Sequence, residues 1–409
     1  MASGFNINGS DIEGQYISKS YLLDRYPEIA NQFKSAELWA WGRNNNGQLG
    51  DNTVVDKSSP VQTVSAGANW KQITSSLGSG AIKTDGTFWA WGGVSSGNTG
   101  AGIVPDGTST KRSSPVVISS GATNWKQISH GFYTGSGIKT DGTFWVWASG
   151  NQGQGGNSTT VDSYTSPNQV GSSTIWKQAS SGGFYVAGIK TDGTLWTWGQ
   201  NGRGQLGDNT SNAKSSPVQT VAGGTNWKQV SAGYHSSAAI KTDGTLWMWG
   251  ENNYGQLGDN TITKKSSPVQ TVAGGSNWQQ ASAGGYYCGA IKTDGTLWTW
   301  GNNGHGELGV GDITRRSSPV QTVAGGTNWK KISCAPWYAN IGALKTDGTL
   351  WTWGRNDNGQ LGDNTSTSKS SPVQTVAGGN NWKDIAHGYN VVLAIRDDSM
   401  ELNFGAGTL

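Results

Sequence analysis

The sequence predicts an all-β fold, a seven-bladed propeller of four-stranded antiparallel blades, on three observations. The pair Trp-x-Trp occurs seven times, with first members Trp39, Trp89, Trp145, Trp196, Trp247, Trp298 and Trp351. A third tryptophan recurs in Asn-Trp-Lys or a close variant, at Trp70, Trp125, Trp176, Trp227, Trp278, Trp329 and Trp382. Seven prolines (Pro60, Pro115, Pro167, Pro217, Pro268, Pro319 and Pro372) keep the same register of about fifty residues. Of the 22 tryptophans only Trp337 falls outside these rows, so a fixed repeat governs the chain.

The unit from Trp227 to Val272 shows what each repeat is built to do. WKQVS (227–231) alternates polar and apolar residues and reads as a strand; a Gly-bearing loop leads to a second strand, AAIKT (238–242). Asp243-Gly244 follows, a hairpin signal in which both central residues are expected at positive φ. LWMWG (246–250) is the third strand, and its period of two places Trp247 and Trp249 on one face. A long Asn/Gly/Asp loop then precedes a fourth strand, PVQTV (268–272), which Pro268 is expected to open. Short strands with no helical periodicity between them stack radially, each blade burying both faces against its neighbours.

The chain ends share a blade. The first unit supplies LWAWG (38–42) and PVQTV (60–64) but no strands before them, and the last supplies WKDIA (382–386) and VVLAIR (391–396). A worn copy of the third strand, MELNFG (400–405), competes with LWAWG for one slot, and the sequence leaves the choice open. The expected organisation is an arm with short amphipathic helices over 1–36, the propeller over 37–405 and a tail over 406–409. In the arm, Leu22, Tyr26, Ile29 and Phe33 make one apolar helical stripe and are the expected docking residues.

Composition narrows the function. Charged residues are 13% and the net charge is +3, too balanced for an electrostatic grip on nucleic acid or an acidic membrane. Two cysteines give neither a disulfide framework nor a metal-ligand spacing. The opening MASGFNINGSDIEGQ has no signal-peptide pattern, and no apolar run approaches a membrane span. These features predict a soluble chain made in a cytoplasm. Catalysis has no foothold: His130, His235, His305 and His387 are scattered over the repeats, and the Asp of each KTDGT reads as a turn former. The lysines of that motif, such as Lys83 and Lys241, read as a solvated rim. The GQLGDNT loops could offer oxygens to Ca²⁺, but their residues suit tight turns equally, and neither a metal nor a cofactor is expected.

One loop varies where the rest of the repeat does not. Between the first and second strands the units carry Phe132, Tyr133, Phe184, Tyr185, Tyr234, His235, Tyr286, Tyr287, Trp337, Tyr338 and Tyr389. Such a ring of large aromatics suits a protein interface or a sugar-stacking platform, and these are the expected binding residues. The alternative is that alternate members pack inward between blades.

The repeat W-x-x-I-x-x-G…A-I-K-T-D-G-T-L-W-x-W-G-x-N-x-x-G-Q-L-G-D resembles that of the regulator of chromosome condensation family. GQLGD recurs at 47–51, 204–208, 255–259 and 359–363, while blades two and three depart from it at 92–102 and 148–157. The resemblance implies a seven-bladed binding scaffold. It does not carry over nucleotide exchange on a GTPase, because no insertion is long enough for an exchange wedge and the arm is not basic. The arm also resembles leaders that precede such repeats in virion proteins of tailed bacteriophages. The leading expectation is therefore a non-enzymatic virion structural or adhesion protein, assembled in the host cytoplasm. Its partners would be other virion proteins or a host surface receptor, possibly a glycan. The alternative is a cellular, cytoplasmic protein-binding propeller such as an inhibitor or assembly scaffold, with an exchange factor a distant third.

Overall fold

The computed structural model describes residues 36–397, apart from 65–66, 94–103, 109, 119–121, 150, 161–162 and 338–339. The arm stripe Leu22, Tyr26, Ile29 and Phe33, the strand copy at 400–405 and Tyr338 lie outside the described residues. Within them the chain forms seven four-stranded antiparallel sheets. Six sheets come from consecutive strands. The seventh is composite, in the order Lys57–Gln62, Ala36–Gly42, Val391–Asp397, Trp382–His387, so the two ends of the chain close the ring. Its third-strand slot is filled by Ala36–Gly42, in register with Val391–Asp397 over seven pairs from Ala36↔Asp397 to Gly42↔Val391.

Blade five illustrates every blade. Its strands are Trp227–Ala232, Ser236–Lys241, Leu246–Gly250 and Lys265–Gln270, from the axis outward. Two sequence expectations need correction. Pro268 does not open its strand. The strand begins at Lys265, and Pro268 sits between the pairs Gly250↔Lys265 and Met248↔Val269, where the register shifts. An edge strand tolerates a residue without N–H at such a bulge. In the Asp-Gly turn, only Gly244 takes positive φ (+81°). Lys241 N donates to Thr245 O and Gly244 N to Lys241 O, a tight turn with one left-handed residue. A side chain on Gly244 would also meet Ser276 O at 2.0 Å.

The two tryptophans of LWMWG share a face but not an environment. Trp249 is fully buried and its indole N–H donates to Gln205 O of blade four at 2.8 Å. Trp247 is half-buried. Its N–H donates to Thr245 Oγ1, whose hydroxyl in turn donates to Asp243 Oδ1. Lys241 Nζ lies 4.9 Å from the Trp227 ring centre and 4.6 Å from that of Trp247. The lysine row expected as a solvated rim is thus seated over indole pairs, with Arg396 doing the same over Trp39 and Trp382 in the composite blade.

Neighbouring blades are clasped near the axis. Gln229 Nε2 donates to Ala281 O of blade six and its Oε1 accepts from Ala281 N, while Ser231 Oγ accepts from Ala283 N. Gln72, Gln127, Gln178 and Gln280 repeat the two-way clasp. Between blade seven and the composite blade, an ion pair of Lys331 with Asp384 stands in its place.

Candidate binding face

The varied loops lie on the rim that also carries the GQLGD loops; the KTDGT turns form the opposite rim. Each varied loop is a short hairpin connection, closed for instance by Gly233 N donating to Ser236 O and Gly131 N to Thr134 O. Loops also hand hydrogen bonds round the ring: Tyr133 N donates to Gly183 O, Tyr234 N to Gly284 O and Tyr389 N to Ser76 O. This close approach requires glycine at Gly131, where a Cβ would meet Gly182 O at 1.9 Å.

The aromatic side chains converge. The Phe132 ring lies 4.5 Å from Tyr133, 5.5 Å from Tyr234, 5.2 Å from Trp337 (stacked) and 5.5 Å from Tyr389, centre to centre. Those partners belong to blades around the whole ring, so Phe132 sits on the propeller axis. Tyr234 meets Trp337 edge-on at 3.8 Å and His235 at 4.1 Å, and Phe184 packs on Tyr133 and Tyr234. Tyr286 joins through Trp337 and Tyr254. Phe132, Tyr234 and Leu77 are buried, while Tyr133, Phe184, Trp337 and Tyr389 are partly covered. The result is an aromatic plug over one mouth of the central channel. Beneath it is a cavity of about 190 Å³ lined by the innermost strands, among them Ser129, Ser180, Ser231, Ser282 and Ser333.

Tyr185 and Tyr287 are not part of this surface. They are fully buried at the starts of the strands Tyr185–Lys190 and Tyr287–Lys292. Tyr185 Oη bonds Ser236 O and the Ser237 hydroxyl, and Tyr287 Oη donates to Ala335 O and Asn340 O in the next blade. Burial holds both phenols above their ordinary range. Counting back from the lysine of KTDG exposes the signal: both tyrosines are five residues before it, where other blades place Thr134 and Ser236. The two tyrosines expected in the loop occupy an inward-facing strand position. Trp337, one of the expected binding residues, is in this surface but partly covered by Phe132 and Tyr234.

Burial and charge tune the groups around the plug. His235 is pushed down to about 4, first by burial and then by the nearby Arg203 guanidinium. Burial likewise raises the Tyr133 and Tyr286 hydroxyls. Glu251 is buried beside the plug; desolvation raises its carboxyl, against the opposing pull of Arg203. The Arg43 guanidinium lies 5.4 Å from the Tyr389 ring centre.

Of the other histidines, His305 is exposed and two have packing roles. His130 and His387 are buried at equivalent strand ends, each held down to about 3 by desolvation. Each fills the space above a glycine of the preceding blade, His130 over Gly80 and His387 over Gly342. The same position elsewhere pairs Ser181 with Ser136 through a 2.7 Å hydrogen bond. In the GQLGD loops the oxygens considered for a cation surround an asparagine amide instead. Asn252 Nδ2 donates to Asp259 Oδ1, Thr261 O and Oγ1 and Thr263 O, and its Oδ1 accepts from Leu257 N.

Repetition, ring closure by both chain ends and one varied face define a repeat-built propeller scaffold. Comparison with known proteins gives its lineage. The RCC1-like domain model matches residues 33–341 and the regulator of chromosome condensation (RCC1) repeat model residues 347–395. The chain belongs to the RCC1-like domain family. It is 28% identical over 348 residues to the ultraviolet-B receptor UVR8 of Arabidopsis thaliana, covering 81% of this chain and 76% of that one. It is 26% identical over 366 residues to the human E3 ubiquitin-protein ligase HERC2, of whose length the match spans 7%. Among solved structures, human WBSCR16 superimposes with a TM-score of 0.76 at 20% identity, covering 88% of this chain and 98% of that one. Prp20p of Saccharomyces cerevisiae does so at 0.74 and 15% identity, covering 90% and 94%; these two likenesses speak for the fold.

Proposed function

We propose that this chain is a non-catalytic, protein-binding propeller that engages its partner with the rim carrying the aromatic plug. The supporting observation is the contrast within the repeat: the KTDGT turns are copied from blade to blade, while on the plug rim, beside the recurring GQLGD loops, the loop between the first and second strands carries different side chains in each blade. A relative supports the same reading, since Prp20p is described by its binding to Gsp1p and histones. Aromatic rings that are half-covered, held by neighbours and flanked by Arg43 and Arg203 suit a protein contact, because little side-chain entropy is left to lose on binding.

A virion role rests on the leader resemblance alone, and its stripe residues lie outside the described residues. The relatives named above are plant, human and yeast proteins, which favours a cellular partner.

The test is affinity capture with three forms of the chain: wild type, a Tyr286→Ala/Trp337→Ala variant, and a Lys126→Glu/Lys228→Glu variant altered on exposed lysines at the opposite rim. A protein retained by the wild type and the lysine variant but lost from the aromatic variant is the expected outcome. Equal retention by all three, with melting temperatures unchanged, would place the contact elsewhere.

A further inference from the structure

A second feature of the plug rim lies at its periphery, between blades four and five. There a groove of about 280 Å³ is lined by Arg203, Gly204, Ser211, Lys264 and Ser266, together with Asn209 and Thr210. The repeat supplies an internal control for it. Arg203, Tyr254 and Asn358 each stand two residues before the glutamine of GQLG, and Lys264, Arg315 and Asp56 each stand just before the basic residue that opens the fourth strand. These two positions face each other across blade junctions.

Where Tyr254 meets Arg315, the guanidinium lies 5.8 Å from the ring centre. Where Asn358 meets Asp56, Nδ2 donates to Oδ2 at 3.3 Å. Both junctions pair complementary groups. Among the described residues, only the junction between blades four and five sets two cations against one groove, like charges that an anion between them would bridge. Arg203 Nε is 3.9 Å from Glu251 Oε1, and its side chain is 53% exposed, which leaves guanidinium N–H groups for another acceptor. Lys264 is exposed and has no acidic partner among the described residues.

We propose that this groove is an oxyanion site that takes a phosphoryl or carboxylate group from an acidic segment of the partner protein. Arg203 offers a planar two-pronged donor and Lys264 a point charge. The Ser211 and Ser266 hydroxyls add neutral donors. The groove is open at the surface, so the anion arrives on a side chain. The source of the anion rests on the protein-binding reading; the chemistry of the groove does not.

The full chain, ¹⁵N-labelled, is titrated with inorganic phosphate at constant ionic strength against chloride. Saturable shifts of the Gly204 and Ser266 amides are expected. Arg203→Gln/Lys264→Gln should weaken the apparent affinity at least tenfold, and Lys71→Gln on the opposite rim should leave it unchanged. A linear, non-saturating response in the wild type, or the same loss in Lys71→Gln, overturns the site whether or not any partner is captured. Peptides that differ only in serine, glutamate or phosphoserine at one position then identify the source. Tighter binding of the phosphoserine form assigns a phosphoryl group, and equal gains for both anions assign either. A serine peptide that binds as well as both overturns the proposal.

Discussion

The two rims of this propeller are built from the same repeat and held by different physics. On the KTDGT rim six of the seven blades solve the same problem in the same way, and the composite blade keeps only the cation, Arg396, over its two indoles. In the six, a lysine rests on two indoles, and an aspartate accepts from the threonine two residues on. That threonine orients the first tryptophan of the pair. On the plug rim the loops between the first and second strands differ from blade to blade, because seven loops must share one axis and only one ring, Phe132, can occupy it. Uniform copies close the edge of a ring; its centre requires asymmetry.

Acid should separate the rims by pH window. His130 and His387 are held down to about 3 in the folded chain, well below the ordinary value near 6.5. The unfolded chain therefore binds protons that the native chain refuses, and stability falls as pH drops from about 6.5 towards 3. For two protons the slope approaches roughly 2.7 kcal/mol per pH unit. The aspartates of the turn rim, lowered mainly by their threonine hydrogen bonds, stabilise above their unfolded value and lose that contribution only below about pH 4. Urea midpoints at pH 7 and 5 should differ strongly in the wild type and little when His130, His387 and His235, itself held down to about 4, are all replaced. A flat profile in the wild type would show that the imidazoles reach water.

Core truncation should distinguish the two tryptophan rows. Trp249→Ala removes a fully buried indole and its bond to blade four, at about 3–5 kcal/mol. Trp247→Ala should cost visibly less, since that ring is only partly buried and lies under the lysine. Equal losses by chemical denaturation would mean that the lysine-capped row is as much core as the other.

The histidine–glycine fit is testable by exchange. His130→Ala alone should cost about 2–4 kcal/mol for the space left over Gly80. Gly80→Ala alone should strain the chain, its Cβ meeting the imidazole at 2.7 Å. Together they install an alanine pair like Ala238 with Ala283 in blades five and six, and the double variant should recover most of the loss. Additive losses in this cycle would refute the pairing.

The smallest effect belongs to the lysine row. Lys241→Met keeps the stem over Trp227 and Trp247 but removes the charge, and should cost about 0.5–1 kcal/mol. The same substitution in a Trp247→Ala background should cost nothing measurable.

The sequence by itself determined the blade count, the strand order within a blade, the family resemblance and the rim that varies. All of these are periodic, and a period survives projection onto one dimension. Tryptophan at alternate positions had to mean a sheet face. The fate of each aromatic was decided only in three dimensions. Tyr133 and Tyr185 close the same Gly-Phe-Tyr phrase, yet one joins the plug and the other is sealed between blades, because Tyr185 stands one residue nearer the lysine of its strand and so falls inside that strand. The closing strand was likewise settled by tertiary contact, since Ala36–Gly42 pairs on both sides, with Val391–Asp397 and Lys57–Gln62. The groove between Arg203 and Lys264 joins residues sixty-one apart that meet only because the blades fan round one axis. Their like charge becomes informative only once the equivalent, complementary pairs at other junctions are seen beside it.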